Sequence, residues 1–327
     1  MKIKEFEIRN LYGKYTIKSQ LDEKVNIIVG NNGTYKTTLL RILNSISSFV
    51  LPMDFFNLDS VEIKENNNLS VKYNEYDSTV SELGEKAKDN NLLKQMYEKV
   101  LSDTHTISQN NNLTVNYHIL TAFQDGKEIE DEDYSKQAKV NIISTFDIKG
   151  DGNDKEKSFL DSNLEKLQSE YGYYLSELMK ELTDHISTSS SITKVELDKI
   201  NERKNDFIRL VNEAFAETGK KLNPDSAKLK FEKDGKIIEA KDLSSGEKQL
   251  LIILLTVLLE RGQEYVLMLD EPEISMHISW QYKLIDMILE LNPNVQIILT
   301  THSPMIFSDG WGDKAIHMED ITINTRK

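Results

Sequence analysis

The 327-residue sequence contains no cysteine. That single absence excludes disulfides, iron–sulfur clusters and thiolate zinc sites. It also lacks any apolar run near the roughly 20 residues that a bilayer-spanning helix requires. Leu250–Leu259 has only the length of a buried helix. The opening Met1-Lys2-Ile3-Lys4-Glu5-Phe6 is charged and alternating, without the apolar core of a signal peptide. A cytoplasmic protein with no membrane partner is expected. Basic residues are few and scattered: 40 Lys and Arg stand against 54 Asp and Glu, a formal charge of −14. Counterion release on a nucleic acid needs clustered cations, so the surface as a whole is a poor polyanion binder, which leaves only a local basic groove open. No repeat or low-complexity tract interrupts the chain. Its length suits one large α/β domain with an insertion, or two domains.

What the chain does have is organised around Gly30-Asn31-Asn32-Gly33-Thr34-Tyr35-Lys36-Thr37-Thr38. The apolar run Val25–Val29 precedes it, and Leu39-Leu40-Arg41-Ile42-Leu43 follows. Strand, glycine-containing turn and helix in that order are the setting of a phosphate-binding P-loop. Backbone N–H groups from Asn31 to Thr38 and the positive end of the helix would face a polyphosphate. Lys36 would reach the outer phosphates and the Thr37 hydroxyl would ligate Mg²⁺. Tyr35 departs from G-x-x-x-x-G-K-S/T, standing where the second glycine belongs. Either the tyrosine is forced to positive φ, or the loop has adjusted around its ring.

Along the chain, residues 2–9 alternate as a first strand and Thr16–Gln20 form a second after the turn Asn10–Tyr15. The P-loop helix is expected over 37–49. Val61–Ile63 and Leu69–Tyr73 flank Asn66-Asn67-Asn68 as a hairpin. Helical spacing recurs over 81–101, and strands are expected at Leu113–Thr121 and Ala138–Ile148. Gly150–Asp154 punctuates a boundary. Beyond it Leu160, Leu164, Leu167, Tyr171, Tyr174, Leu178 and Leu182 fall at alternating steps of four and three. After Ser187–Ser191 a second helix carries Val195, Leu197, Ile200, Phe207, Leu210, Val211, Ala214 and Phe215. The pair reads as an antiparallel hairpin inserted in the core, or as ordinary core helices. Asp234-Gly235 marks another hairpin turn.

Three later segments carry chemistry. Tyr265–Leu269 is an apolar strand ending in Asp270-Glu271, at the strand end where ligands bind in parallel sheets. Asp270 is placed to hold Mg²⁺ opposite Thr37, and Glu271 to polarise a water for in-line attack on a γ-phosphate. Leu243-Ser244-Ser245-Gly246-Glu247-Lys248-Gln249 opens an apolar helix, with Ser245 expected at the N-cap. Its free N–H groups make a second anion site. A chain with one complete P-loop needs two such sites only if Ser244, Ser245, Gly246 and Glu247 face the triphosphate of another subunit. Thr300-Thr301-His302-Ser303-Pro304 follows the strand Val295–Leu299, and His302 is expected to sense the γ-phosphate. His277 has no second His or Cys at ligand spacing and is not expected to bind metal.

With these residues in place, the chain resembles ABC-type ATPases of the SMC, RecF and overcoming-lysogenization-defect branch. The resemblance implies an α/β P-loop NTPase head with an inserted helical hairpin. It assigns Gly30–Thr38 as Walker A, Leu243–Gln249 as signature, Val266–Glu271 as Walker B, Ser275–Ser279 as D-loop and His302 as switch. A division into 1–150, a hairpin 151–222 and 223–327 follows. Gln124 and Ser144–Asp147 are the candidates for the Q-loop that the family implies. Leu269–His277 with Thr301–Pro304 and Asn10–Gly13 further resembles stand-alone AAA-labelled ATPases of bacterial anti-phage systems, Septu-, PARIS- and retron-associated ones among them. That likeness implies ATP and Mg²⁺ as ligands, assembly with itself through an ATP sandwich, and a separate nuclease or toxin effector. A phage protein or nucleic acid would serve as trigger. Only 23 residues follow Pro304, so no fused nuclease of the Toprim type is expected. A DNA-repair ATPase and a transporter's nucleotide subunit are the competing classes. Glu247 after the signature glycine, where transporter subunits usually carry Gln, speaks against the transporter.

Overall fold

In a parallel sheet covered on both faces, strands read as unbroken apolar runs rather than alternating ones. Val25–Val29, Val266–Asp270 and Gln296–Thr301 are such runs, buried at every position. They form the centre of a five-stranded parallel sheet in the order Ala315–His317, Val25–Val29, Gln296–Thr301, Val266–Asp270, Val140–Ser144. The computed structural model describes residues 1–51, 57–88, 93–94, 97–98, 114–144, 158–189, 193–224, 226 and 228–325. These divide into two compact units. The first comprises Met1–Lys2, Asp22–Leu40 and Lys139–Asp320, and the second Ile3–Leu21, Arg41–Ala138 and Ile321–Lys327.

In the first unit the register sets the chemistry. Asp270 lies opposite Thr300 on one side and Ser144 on the other, and Thr301 lies opposite Val29. The carboxyl ends of three central strands thus come out in one row, as ligand sites in open α/β sheets do. Helices Ser245–Leu259 and Ile278–Leu291 contribute Leu250, Ile253, Leu254, Leu284 and Ile288 to the core beside the sheet. The stripe expected beyond residue 158 is present in helix Phe159–Ser189, which is followed by helix Lys194–Ala214. Leu164, Tyr171 and Tyr174 of the first helix and Phe207, Leu210 and Val211 of the second are buried in the same core. The two helices touch through the Tyr171 and Phe207 rings, 6.0 Å apart. Both readings of the pair hold, each for one half. The root is core, while the outer turns leave Met179 65% and Val195 77% exposed. Val195 and Leu197, expected on the apolar face, are both exposed, because they lie in the first turn beyond the reach of the core. Strands Lys221–Leu222, Lys230–Lys233 and Lys236–Glu239 form a small antiparallel sheet. Its turn has Asp234 and Gly235 both at positive φ, 51° and 72°, as a two-residue hairpin of the right twist demands.

The second unit is a seven-stranded antiparallel sheet. Its order is Thr322–Asn324, Tyr15–Gln20, Ile3–Leu11, Ser60–Glu65, Leu69–Thr79, Thr114–Gln124, Lys127–Ile129. The helix expected over 81–101 is seen as Val80–Lys86, held by a capping box between Thr79 and Glu82. Most of the remainder of that range lies outside the described residues. The strand expected over Ala138–Ile148 spans Val140–Ser144, with 145–148 likewise outside, together with the boundary at Gly150–Asp154. The P-loop helix runs over Lys36–Ser47.

Candidate nucleotide-binding and catalytic site

The P-loop follows directly from Val29. Thr34 closes the turn, its N–H and hydroxyl donating to Asn31 O at 3.3 and 2.7 Å. Gly33 has φ 80° and Tyr35 φ 67°, so of the two alternatives for Tyr35 the chain adopts positive φ. Asn31, Asn32 and Gly33 are exposed, and Thr34, Tyr35, Thr37 and Thr38 are half-buried. Lys36 is buried and folds back over the loop. Its Nζ donates to Gly30 O at 3.0 Å and Asn31 O at 3.3 Å, and lies 2.7 Å from His302 Nε2. An ammonium has only donors, so His302 Nε2 accepts from Lys36. Burial holds the Lys36 ammonium below its ordinary range, against the opposing pull of Glu271, Asp270 and Glu273.

Across from it, Asp270 is almost fully enclosed. Its Oδ1 accepts from Thr37 Oγ1 at 3.0 Å and from Thr300 Oγ1 at 2.8 Å. The next residue turns sharply. Glu271 has φ 49°, and its N–H donates to Thr300 O at 3.0 Å and Thr300 Oγ1 at 3.2 Å. This bend brings the Glu271 carboxylate within 3.3 Å of His302 Nε2. Burial pushes the Glu271 carboxyl up, Asp270 and Glu273 add to the rise, and His302 and Lys36 oppose it. Lys36, Thr37, Asp270, Glu271 and His302 are therefore one cluster at the sheet's carboxyl edge.

The start of the helix Ser245–Leu259 differs from expectation by one residue. Ser244, not Ser245, is the N-cap: its Oγ accepts from Glu247 N, while Glu247 Oε2 accepts from Ser244 N at 2.9 Å. The reason is the glutamate three residues after Ser244, which completes a capping box. Gly246 packs so tightly on the neighbouring turn that a Cβ there would lie 2.1 Å from Ser275 O. Ser244 and Ser245 are exposed, whereas Gly246 and Glu247 are buried. Burial would raise the Glu247 carboxyl, but Lys220 and the Ser244 backbone prevail and hold it low. Lys220 Nζ reaches both Glu247 oxygens, at 2.8 and 2.6 Å. The adjacent Lys248 pairs with Asp161 at 2.7 Å. His277 caps the helix Ile278–Leu291 through Nδ1, which accepts from Ser279 N.

Of the Q-loop candidates, Ser144 stands beside Asp270 in the sheet, Gln124 ends a strand of the second unit, and 145–147 lie outside the described residues. Glu273 went unassigned in the sequence. Its Oε1 accepts from Thr301 Oγ1 at 2.7 Å, His302 N at 2.7 Å and Ser303 N at 3.2 Å. The only hint was a second acid two residues beyond Glu271.

A parallel sheet with this edge has the P-loop ATPase fold, in the form found in SMC heads. The chain belongs to the AAA ATPase domain family, whose profile matches residues 1–307; it binds nucleotide and hydrolyses ATP. It is 26% identical over 320 residues to the Septu protein PtuA of Bacillus thuringiensis, covering 92% of this chain and 72% of that protein. A shorter match, 30% identical over 87 residues, is to the Retron Vc95 probable ATPase of Vibrio cholerae serotype O1 biovar El Tor, covering 23% of this chain and 17% of that one. Among solved structures, an SMC head bound to the C-terminal winged-helix domain of ScpA superposes with a TM-score of 0.52 at 13% identity. The match covers 94% of this chain and 92% of that one. Among the described residues no helix is long and apolar enough to cross a membrane.

Proposed function

We propose that this ATPase works as an ATP-sandwich assembly of two or more copies and controls a separate nuclease or toxin effector in anti-phage defence. The observation that carries the defence reading is the likeness to a Septu protein along 92% of the chain. The sandwich reading is supported by the exposed Ser244 and Ser245 at a capped helix start, an anion site additional to the P-loop's own.

In this reading Lys36 leaves the Gly30 and Asn31 carbonyls for the outer phosphates of ATP. The Glu271 carboxylate takes a proton from the attacking water as the terminal phosphoryl group departs in line. The His302 imidazole, released from Lys36, hydrogen-bonds that phosphoryl group and reports its presence. The donors around Asp270 are hard oxygens, Thr37 Oγ1 and the carboxylate, which suit Mg²⁺ held by few protein ligands and the phosphates. When bound, the ion would neutralise charge on the β- and γ-phosphate oxygens. The hairpin within 151–222 would relay the nucleotide state outward from the core in which its root is buried. A phage protein or nucleic acid would supply the trigger.

Glu271→Gln is expected to retain ATP binding, lower turnover by about a hundredfold or more and trap the ATP-bound assembly on size-exclusion chromatography. Wild-type turnover in that variant would remove Glu271 from its role. Lys36→Ala should abolish nucleotide binding. Ser245→Arg should keep single-chain binding and lose turnover, and loss of binding instead would count against the composite site. The competing reading is a DNA-repair or chromosome-associated ATPase, favoured by the SMC-head fold and disfavoured by the charge of −14. Gel shifts at two salt concentrations separate them, since salt-sensitive binding by the isolated protein would favour repair.

A further inference from the structure

Glu271 and Glu273 leave the same tight turn in different directions. Glu271 meets the face of the site, whereas Glu273 reaches back to the end of the neighbouring strand. There, one oxygen of its carboxylate gathers a hydroxyl and two successive backbone N–H groups, Thr301 Oγ1, His302 N and Ser303 N. Its other oxygen, Oε2, is enclosed with no hydrogen-bond partner among the described residues. The same turn is tied a second time: Ser303 Oγ donates to Gln281 Oε1 at 2.7 Å, and Gln281 Nε2 donates to Met276 O at 3.0 Å. The residue held between these anchors is His302, whose ring touches both Lys36 and Glu271.

We propose that Glu273 is a positioning residue for ATP hydrolysis, pinning the turn Thr301–Ser303 so that the His302 ring stands against Lys36 and Glu271. This rests on the roles given above to Glu271 and His302. The turn that presents the catalytic carboxylate thereby also sets the sensor, and the two cannot drift apart independently. What the pin requires is an acceptor at the right reach, not a negative charge, because only Oε1 is engaged. Glutamine supplies that oxygen and places its amide nitrogen where Oε2 now lies. Aspartate keeps the charge but is one methylene too short.

The test compares kcat and KM for ATP in Glu273→Gln, Glu273→Asp and Glu273→Ala, with binding of a fluorescent ATP analogue and the thermal midpoint followed alongside. Glutamine is expected to stay within about threefold of wild-type kcat. Aspartate and alanine should lose about tenfold or more in kcat with KM and analogue affinity unchanged within about twofold. In a cycle with His302→Ala, the double variant Glu273→Ala/His302→Ala should be no slower than His302→Ala alone, as for two residues acting through one effect. Multiplying losses in that cycle, or an active aspartate beside an inactive glutamine, would overturn the proposal. If the alanine variant does not fold, the glutamine and aspartate variants still decide between reach and charge. Glu271→Gln serves as the control: its inactivity together with multiplying losses defeats the positioning role alone. Wild-type rates in both Glu271→Gln and His302→Ala defeat the underlying reading of the site.

Discussion

Tyr35 at φ 67° occupies a conformation that costs a residue with a side chain about 1–3 kcal/mol. The P-loop keeps the backbone conformation a glycine would adopt there and carries the tyrosine's strain in it, and slow turnover is the expected consequence. Tyr35→Gly should raise kcat several-fold in a steady-state phosphate-release assay. An unchanged rate would mean the ring and its strain are no brake. At this scale most of the site was readable beforehand. Lys36, Thr37, Asp270, Glu271 and His302 announce themselves by residue type at the ends of apolar runs, and the sheet register then brings them together. Glu273 did not, because its partners lie 28 to 30 residues away in sequence and are chiefly backbone N–H groups, which no side-chain pattern records. The cap falls at Ser244 rather than at the expected Ser245, and the signal that decides it is Glu247 three residues on.

The helix Ser245–Leu259 is the element whose placement matters most for the proposed composite site. Its first turn is tied to both roots of the helical hairpin. Lys220, just after the second helix, pairs with Glu247, and Asp161, in the first turn of the first helix, pairs with Lys248. Glu247 is almost entirely buried, so removing its partner leaves an uncompensated charge. Lys220→Met is expected to destabilise the protein by about 3 kcal/mol, measured by urea denaturation. Lys220→Met/Glu247→Gln should recover a substantial part. Failure of the double variant to recover would show that the cap, and not the ion pair, dominates. The strands, the P-loop helix and the Asp234-Gly235 hairpin were legible as elements because each carries a local period or turn signal. The hairpin was ambiguous for a physical reason: one stripe of apolar residues serves as core at the root and runs on into solvent farther out.

For the whole molecule, the second unit carries a titration of its own. Glu65 is buried and accepts from Tyr134 Oη at 2.6 Å. Burial lifts its carboxyl from 4.5 to about 7, against the opposing pull of that hydrogen bond. The folded state therefore holds this proton more tightly than the unfolded chain. The resulting stability is fully present below about pH 4.5 and is lost as pH rises through about 7. The group should make the unit about 3 kcal/mol less stable at pH 8 than in mild acid. Thermal melts of Glu65→Gln should lose that part of the pH dependence; an unaltered dependence would exclude Glu65 as its source.

The division into two units was invisible to a reading in chain order, because the polypeptide crosses between them five times. The P-loop strand Val25–Val29 lies between Gln296–Thr301 and Ala315–His317. Both of its neighbours thus come from the far end of the chain. During synthesis the phosphate loop precedes the strands it pairs with and has no sheet to belong to until some 270 further residues have left the ribosome. Such long-range pairing is slow to form. A nascent chain, or one terminated before those strands, is therefore expected to carry an incomplete nucleotide site, with catalytic competence arriving only after both have been made.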